Sequence, residues 1–176
     1  LLETLRSMGE REGWRARAAA IDQSAEFPFD LVPRFAELGL LGTTISPAYG
    51  GGGLPGLYAV AAIEALAHYS PAIAAPVFES SVGPCRVIER FGTDEQKQRI
   101  LPGVCSGAIS VSVAMTEPGV GSDLTAMRTR LEGFDGERMV LNGRKAFITG
   151  GGEASHYLVY CRMGSAGGHR GVGAVL

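Results

Sequence analysis

The chain has 176 residues, 45% of them hydrophobic, which is enough for one large domain or two small ones with a packed core. Its 16 Lys and Arg against 18 Asp and Glu give a net charge of −2, so we expect no nucleic-acid partner. No apolar run reaches the length of a membrane span and no signal-like segment opens the chain, so we expect a cytoplasmic protein with no membrane span.

The first part of the chain has apolar residues at helical spacing. Leu31 and Phe35 lie on one face of a predicted helix, and Gly39 follows as its C-terminal cap. Residues 47–56 are rich in glycine and proline, which predicts a loop. We therefore predict an all-α N-terminal domain over residues 1–107.

Three more helices are expected in this domain. The Ala-rich segment 57–68 predicts a helix that is buried on most faces, and 80–90 predicts another. Thr93 followed by Gln96 has the pattern of a capping box, which predicts a helix from there through Arg99.

The rest of the chain changes to the alternating period of β-strands. The predicted strands are 109–115, 127–134, 138–141, 145–149, 157–161 and 172–176. Asp135–Gly136 and Asn142–Gly143 are turn sequences between them. We predict an antiparallel β-barrel domain over 108–176, incomplete at its C-terminal end because the last strand pattern meets no turn.

The segment from Thr116 to Asp123 combines glycines, hydroxyls and a carboxylate directly after a predicted strand. Gly119 and Gly121 lack Cβ atoms, so backbone N–H groups can approach an anion closely. The hydroxyls of Thr116 and Ser122 can donate or accept hydrogen bonds. These groups suit a planar, phosphate-bearing cofactor, although a turn that only leaves the strand explains them equally well.

A second cluster follows at 145–151. Phe147 and Thr149 are two residues apart on a predicted strand, so we expect both side chains on one side of it, where an aromatic ring can cover a flat cofactor. Taken singly, Phe147 is more often a core residue. The carboxylates of Glu117 and Asp123 are expected to brace turns rather than to act as general bases. The His and Cys residues are scattered, so no metal is expected.

Residues 114–123 (AMTEPGVGSD) resemble the first signature of the acyl-CoA dehydrogenase family, and 141–150 (LNGRKAFITG) resemble its next block. Upstream, 36–42 and 49–53 are similar to the N-terminal helices and loop of the family, and 91–97 to the helix before its β-domain. The matches are colinear and cover nearly the whole chain.

The resemblance implies a helical N-terminal domain, a middle β-barrel domain and a C-terminal four-helix domain that is absent from this chain. It implies a flavoprotein oxidoreductase of fatty acid metabolism that uses FAD to remove two hydrogens from the α and β carbons of an acyl thioester of CoA or acyl-carrier protein. It also implies a homo-oligomer, a dimer or a homotetramer, with an acceptor of the electron-transfer flavoprotein type. The family places its catalytic base in the C-terminal domain, so no catalytic residue is expected in this chain, and the chain alone is expected to be inactive.

The resemblance also assigns residues to the flavin site. The implied cofactor-binding residues are Val113, Ala114, Met115, Thr116, Gly121, Ser122, Phe147, Ile148 and Thr149. Thr116 corresponds to the residue at the pyrimidine edge of the flavin, Phe147 to the aromatic that covers the ring and Thr149 to the hydroxyl at N5. Ser122 is implied both at the phosphate side of the cofactor and in binding of the thioester substrate.

Two alternatives stay open. A flavin-dependent monooxygenase or oxidase of the same fold would use oxygen as its acceptor. A truncated, non-catalytic partner subunit would keep the fold without the reaction.

Overall fold

A computed structural model describes residues 2–134 and 138–176 of the chain. The chain divides into two compact units, Leu1–Val111 and Ser112–Leu176. Within the described residues no helix is both long enough and apolar enough to cross a membrane.

The first unit is helical, as the sequence predicts. Its α-helices are α1 Leu2–Arg11, α2 Trp14–Ser24, α3 Val32–Glu37, α4 Gly56–Ala67, α5 Pro71–Ser81, α6 Pro84–Phe91 and α7 Asp94–Cys105. Short 3-10 turns precede α3 and lie in the glycine-rich loop. This pattern confirms an all-α fold for the N-terminal part.

The core of the helical unit is centred on the indole of Trp14, which is 1% exposed. Its ring meets the rings of Phe35 and Tyr69 edge-on, at centroid distances of 5.9 and 5.6 Å. Leu66 from α4 and Ile73 from α5 are fully buried in the same cluster. Edge-to-face aromatic contacts add to the stabilisation that comes from buried apolar area.

Two helix signals in the sequence are confirmed. The backbone N–H of Thr93 donates to Oε1 of Gln96 at 2.9 Å, and the N–H of Gln96 donates to Oγ1 of Thr93 at 3.2 Å, which completes the capping box. The helix continues past Arg99 to Cys105. Gly39 follows α3 with φ +66°, a left-handed conformation typical of a C-terminal cap.

Two other helix predictions are wrong. The single helix expected over 80–90 is the end of α5 and the whole of α6. The sequence signal for α5 was missed: Ser70 Oγ accepts a hydrogen bond from Ala72 N at 3.1 Å, and Pro71 occupies the first helical position. A further proline, Pro84, begins α6 and explains the break between them.

The helix α4 is not buried on most faces. Ala59, Ala62 and Ala65 are buried, whereas Leu57 and Val60 are 75% and 55% exposed. Because a helix adjoining a single core buries only one stripe, its apolar composition alone overestimated the burial.

The glycine-rich loop folds back onto residues 43–46. The N–H groups of Gly51 and Gly53 donate to the carbonyls of Ser46 and Ile45 at 3.2 and 2.8 Å. A Cβ atom added at Gly51 would lie 2.2 Å from the carbonyl oxygen of Ile45. Gly51 is therefore required by the close approach of two backbone segments rather than by flexibility.

This contact gives a testable prediction. Gly51→Ala should lower the free energy of unfolding of the helical unit by about 1–3 kcal/mol, because the backbone must move to admit a methyl group. Gly56→Ala is the matched control: a Cβ there meets nothing within 4 Å at the first position of α4. Urea unfolding followed by the fluorescence of Trp14, the only tryptophan, measures both variants. Equal stabilities of the two variants would contradict the prediction.

The second unit is a sheet. Its strands are β1 Val111–Ala114, which begins at the last residue of the first unit, β2 Arg130–Phe134, β3 Met139–Asn142, β4 His156–Met163 and β5 Val172–Val175. They are ordered β1-β4-β2-β3, and β5 pairs with β4 outside this order. The helical-then-sheet fold class is confirmed.

The sheet differs from the expected antiparallel barrel in two respects. The pairs β2–β3 and β4–β5 are antiparallel, but β2 and β4 are parallel. The strand β3 and residues 143–155 lie between β2 and β4 along the chain, and a connection of this length allows these two strands to pair in parallel. No pairing closes the sheet among the residues that the structure describes.

The strand expected over 145–149 does not form, and residues 143–148 are irregular. Phe147 has φ +57°, which breaks the alternation of an extended chain. The turn predicted at Asn142–Gly143 is wrong, since Asn142 is the last residue of β3 and pairs with Arg130, and residues 143–146 form no turn. The predicted turn Asp135–Gly136 lies outside the described residues.

Candidate functional site

A tight turn follows β1 at Glu117-Pro118-Gly119-Val120. Val120 N donates to the carbonyl of Glu117 at 3.0 Å, and Glu117 N donates to the carbonyl of Val120 at 2.9 Å. Gly119 has φ +84°, and proline before glycine is the sequence of a type II turn. The glycine is therefore required by the turn, and the turn leads the chain into residues 121–123.

The carboxylate of Glu117 is buried below this turn, with its side chain 4% exposed. Its Oε2 accepts a hydrogen bond from Arg128 N at 2.7 Å, and its Oε1 accepts one from Thr129 N at 2.9 Å. The Nζ of Lys145 donates to Oε1 at 2.9 Å. The carboxylate thus links three segments of the sheet unit, which confirms that Glu117 braces the local backbone.

Lys145 also reaches the end of β1. Its side chain is 11% exposed, and its Nζ donates to the carbonyl of Met115 at 2.8 Å. The next residue, Ala146, donates its backbone N–H to the carbonyl of Thr116 at 2.9 Å. The consecutive residues Lys145 and Ala146 therefore bind the carbonyls of the consecutive residues Met115 and Thr116.

The surroundings of Glu117 favour the ionised form of its carboxyl group. Burial raises the pKa of its carboxyl, but hydrogen bonds from Thr129, Arg128 and Lys145 outweigh burial and lower the pKa to about 2. A carboxylate with so low a pKa is a poor proton acceptor near neutral pH. The Glu117 carboxylate is suited to electrostatic bracing rather than to general-base catalysis.

Asp123 has the same kind of local role. Its Oδ1 accepts hydrogen bonds from the backbone N–H and the Oγ1 of Thr125, at 3.2 and 2.6 Å, and so caps the 3-10 turn Leu124–Ala126. The turn-bracing prediction for Asp123 is confirmed.

Phe147 is 93% exposed and lies in the left-handed region, with φ +57°. Among the described residues that are not glycine, only Ala25 shares a positive φ. This conformation costs an L-residue about 1–2 kcal/mol, and full exposure of the ring regains none of it. A strained, exposed aromatic residue points to a function other than packing.

Thr149 lies in a turn that begins after Phe147. Gly151 N donates to the carbonyl of Ile148 at 2.8 Å, which closes the turn. The hydroxyl of Tyr157, on β4, donates to the carbonyl of Gly150 at 3.3 Å and accepts a hydrogen bond from Gly152 N at 2.8 Å. The sheet thereby fixes the position of the loop that carries Thr149.

The predicted site residues fall into three short segments. Residues 113–116 cover the end of β1 and its exit, 121–122 follow the turn, and 147–149 lie in the loop after β3. The Thr116–Ala146 hydrogen bond joins the first and third directly. These segments do not lie on neighbouring strands, since β1 and β3 are at opposite ends of the strand order, and the hydrogen bonds join the residues that follow each strand.

Exposure differs among these residues. Gly121, Ser122, Phe147 and Thr149 are exposed, and Val113, Met115, Thr116 and Ile148 are half-buried. Ala114 is buried at 3% exposure, so its side chain faces the core of the fold and only its backbone is available to a ligand.

Four other residues hold the site together and carried no recognised signal in the sequence. They are Arg128, Thr129, Lys145 and Tyr157. A lysine next to an apolar run was the one usable hint, because a nearly buried ammonium requires an acidic or carbonyl partner.

Two family models match the chain. Residues 1–108 match the acyl-CoA dehydrogenase N-terminal domain, and residues 112–176 match the acyl-CoA dehydrogenase middle domain.

Individual proteins and solved structures of the same family are also similar to the chain. The chain is 39% identical over 156 residues to mitochondrial isobutyryl-CoA dehydrogenase of Dictyostelium discoideum, covering 88% of this chain and 37% of that protein. The butyryl-CoA dehydrogenase structure from Megasphaera elsdenii matches 98% of this chain and 46% of its own, with a TM-score of 0.84 and 28% identity. A glutaryl-CoA dehydrogenase from Mycobacterium smegmatis in complex with FADH2 matches 98% of this chain and 43% of its own, with a TM-score of 0.81 and 28% identity.

The chain spans less than half the length of these relatives. Both compact units nevertheless have a counterpart in one family, in the same order along the chain. The chain belongs to the acyl-CoA dehydrogenase family.

Proposed function

We propose that this chain supplies the flavin-facing half of the site in an FAD-dependent enzyme that dehydrogenates an acyl thioester between its α and β carbons. The observation that carries the proposal is Phe147, an exposed aromatic side chain held in a strained conformation beside the exit of β1. Family membership supplies the reaction class. The domain assignment that goes with it is helical over 1–107 and middle domain over 108–176.

The residues present fit a flavin. A Cβ added at Gly119 or Gly121 would meet nothing within 4 Å, so the backbone beyond the turn is open to a ligand. The adjacent Ser122 and the hydroxyl of Thr149 are exposed, and both can donate hydrogen bonds. Open backbone, hydroxyl donors and an exposed aromatic ring match the phosphates, the polar edge and the flat face of the cofactor.

When bound, FAD supplies the two-electron acceptor for the oxidation. In the proposal, Thr116 donates to the pyrimidine edge of the flavin, Thr149 hydrogen-bonds N5, and Phe147 covers the ring. Gly121 and Ser122 bind the phosphate side, and Ser122 also contacts the thioester. The remaining cofactor-binding residues, Val113, Ala114, Met115 and Ile148, contribute backbone or apolar contact along the ring. We assign none of these residues as the catalytic base.

The proposed substrate is an acyl thioester of CoA or of acyl-carrier protein, as part of fatty acid metabolism. The relatives named above act on isobutyryl, butyryl and glutaryl CoA esters by their names. An acceptor of the electron-transfer flavoprotein type, a homodimer or homotetramer, and a cytoplasmic location complete the proposal.

The visible spectrum of the purified, intact protein tests this function. We expect flavin absorption that copurifies with the protein and bleaches under anaerobic conditions on addition of isobutyryl-CoA or butyryl-CoA. Rapid reoxidation by air with a hydroxylated product would instead support a monooxygenase. A protein that binds no FAD when FAD is added would contradict the proposal.

Phe147 gives a second, independent test. Phe147→Gly should raise the stability of the protein by roughly 0.5–1 kcal/mol, because glycine adopts φ +57° without the steric cost of a Cβ. The same variant should weaken FAD binding about tenfold, since the ring that covers the flavin is lost. Thermal unfolding of the cofactor-free protein and titration with FAD measure the two effects.

Phe147→Ala is the matched control. It removes the ring but keeps the Cβ, so FAD binding should weaken without any gain in stability. Phe147→Trp should bind FAD at least as tightly as the wild type. Unchanged FAD affinity in the glycine and alanine variants would exclude Phe147 from the cofactor site.

A further inference from the structure

We propose that Glu117 and Lys145 form a positioning pair that holds the three cofactor-facing segments in register with one another. The pair touches neither the flavin nor the substrate in this proposal, and it acts through the backbone. The inference rests on the proposed function, because it concerns the same three segments.

The three cofactor-facing segments converge on the side chain of Glu117. The backbone of Glu117 closes the turn that leads into Gly121 and Ser122. Its carboxylate receives Lys145, which immediately precedes the 146–149 loop. Residues 113–116 directly precede Glu117 in the chain. Each proposed cofactor segment is therefore joined to Glu117 either by the chain itself or by a hydrogen bond.

The ammonium of Lys145 holds two acceptors of the segment that leaves β1. Lys145 Nζ donates to both Met115 O and Glu117 Oε1, at 2.8 and 2.9 Å. An ammonium group needs several acceptors when it leaves water, and here a carbonyl and a carboxylate supply them. The contact with Met115 orients the peptide that precedes Thr116, the residue proposed at the pyrimidine edge.

The pair affects protein stability and segment position in separable ways. A buried ion pair contributes little net stability compared with a neutral pair of similar shape, but loss of one partner leaves an uncompensated charge. The single variants Glu117→Gln and Lys145→Met should therefore unfold at lower temperature than the wild type. The double variant should recover much of that loss, because no unpaired charge remains.

Recovery of cofactor binding should not follow. In the double variant no ammonium holds the carbonyl of Met115, so we expect FAD affinity to stay about tenfold or more below that of the wild type. The resolved fine structure of the bound flavin spectrum should also be reduced, because the ring is held less uniformly. Lys97→Met is the control, since Lys97 pairs with an exposed Asp94 in the helical unit and should leave FAD affinity unchanged.

Hydrogen exchange of the cofactor-free protein provides a readout that does not involve flavin. Lys145→Met should increase exchange in peptides that contain Ala146 N–H, which donates to Thr116, and leave the strands β4 and β5 protected. If the wild type binds FAD and the double variant binds it equally well, the positioning role is overturned and the proposed function stands. If the wild type binds no FAD, both proposals fail. Unchanged exchange at 144–149 in Lys145→Met would also overturn the positioning role.

Discussion

Replacement of Trp14 by alanine is expected to lower the free energy of unfolding of the helical unit by about 3–5 kcal/mol. The indole is 1% exposed and meets Phe35 and Tyr69 edge-on, so its removal leaves a cavity against both rings. A Cβ built on Gly9 would lie 2.7 Å from the indole, which shows how closely α1 approaches it. Closure of the cavity would require movement of a whole helix.

Urea unfolding followed by far-ultraviolet circular dichroism measures this effect, because the variant lacks the only tryptophan. Phe91→Ala is the control: Phe91 is also aromatic and also in the helical unit, but it is 75% exposed. Its loss should change stability by less than about 0.5 kcal/mol. Similar losses in both variants would show that the Trp14 cluster is not the centre of the core.

Replacement of Glu117 by glutamine should lower the stability of the sheet unit by about 3–5 kcal/mol near neutral pH, since one partner of a buried ion pair is removed. The side chain of Lys145, 11% exposed, would then lose its only charged partner among the described residues and be left with neutral acceptors such as the carbonyl of Met115. Two backbone N–H groups, those of Arg128 and Thr129, would also lose a charged acceptor.

The stability that Glu117→Gln removes should depend on pH. The pKa of Glu117 is about 2 in the folded protein against 4.5 for an ordinary glutamate, so ionisation favours the folded state above pH 4.5, and this contribution is lost as the pH falls towards 2. The difference in unfolding free energy between the wild type and Glu117→Gln should therefore narrow across that range. Glu153→Gln, at an exposed glutamate, is the control and should leave the unfolding free energy near neutral pH almost unchanged. A difference that stays constant from neutral pH to the acid limit would contradict the assignment.

The sequence predicted those features that depend on neighbours along the chain. The capping box of Thr93 and Gln96, the cap at Gly39 and the strands β4 and β5 all formed where local patterns indicated. The turn of Glu117 to Val120 was also readable, because proline and glycine select its geometry within four residues. Such signals need no knowledge of the rest of the fold.

The features that failed depend on contacts between distant residues. The loop at Phe147 reads as a strand because its residues alternate, but Lys145 and Ala146 bind the carbonyls of Met115 and Thr116 instead of a strand partner. The parallel pairing of β2 with β4 likewise follows from the crossover and not from either strand. Among the site residues, chain position could indicate Thr116 and Phe147, but not that a lysine joins their segments.

The two consecutive hydrogen bonds from Lys145 and Ala146 to the carbonyls of Met115 and Thr116 also restrict where the chain can change length. An insertion or deletion between Asn142 and Lys145 would shift both donors by one residue and misalign both acceptors. An insertion or deletion placed along the chain between β2 and β3 would leave the four partners aligned. Variation in length among proteins with this arrangement should therefore concentrate between β2 and β3, and the short stretch before the lysine should keep a fixed number of residues.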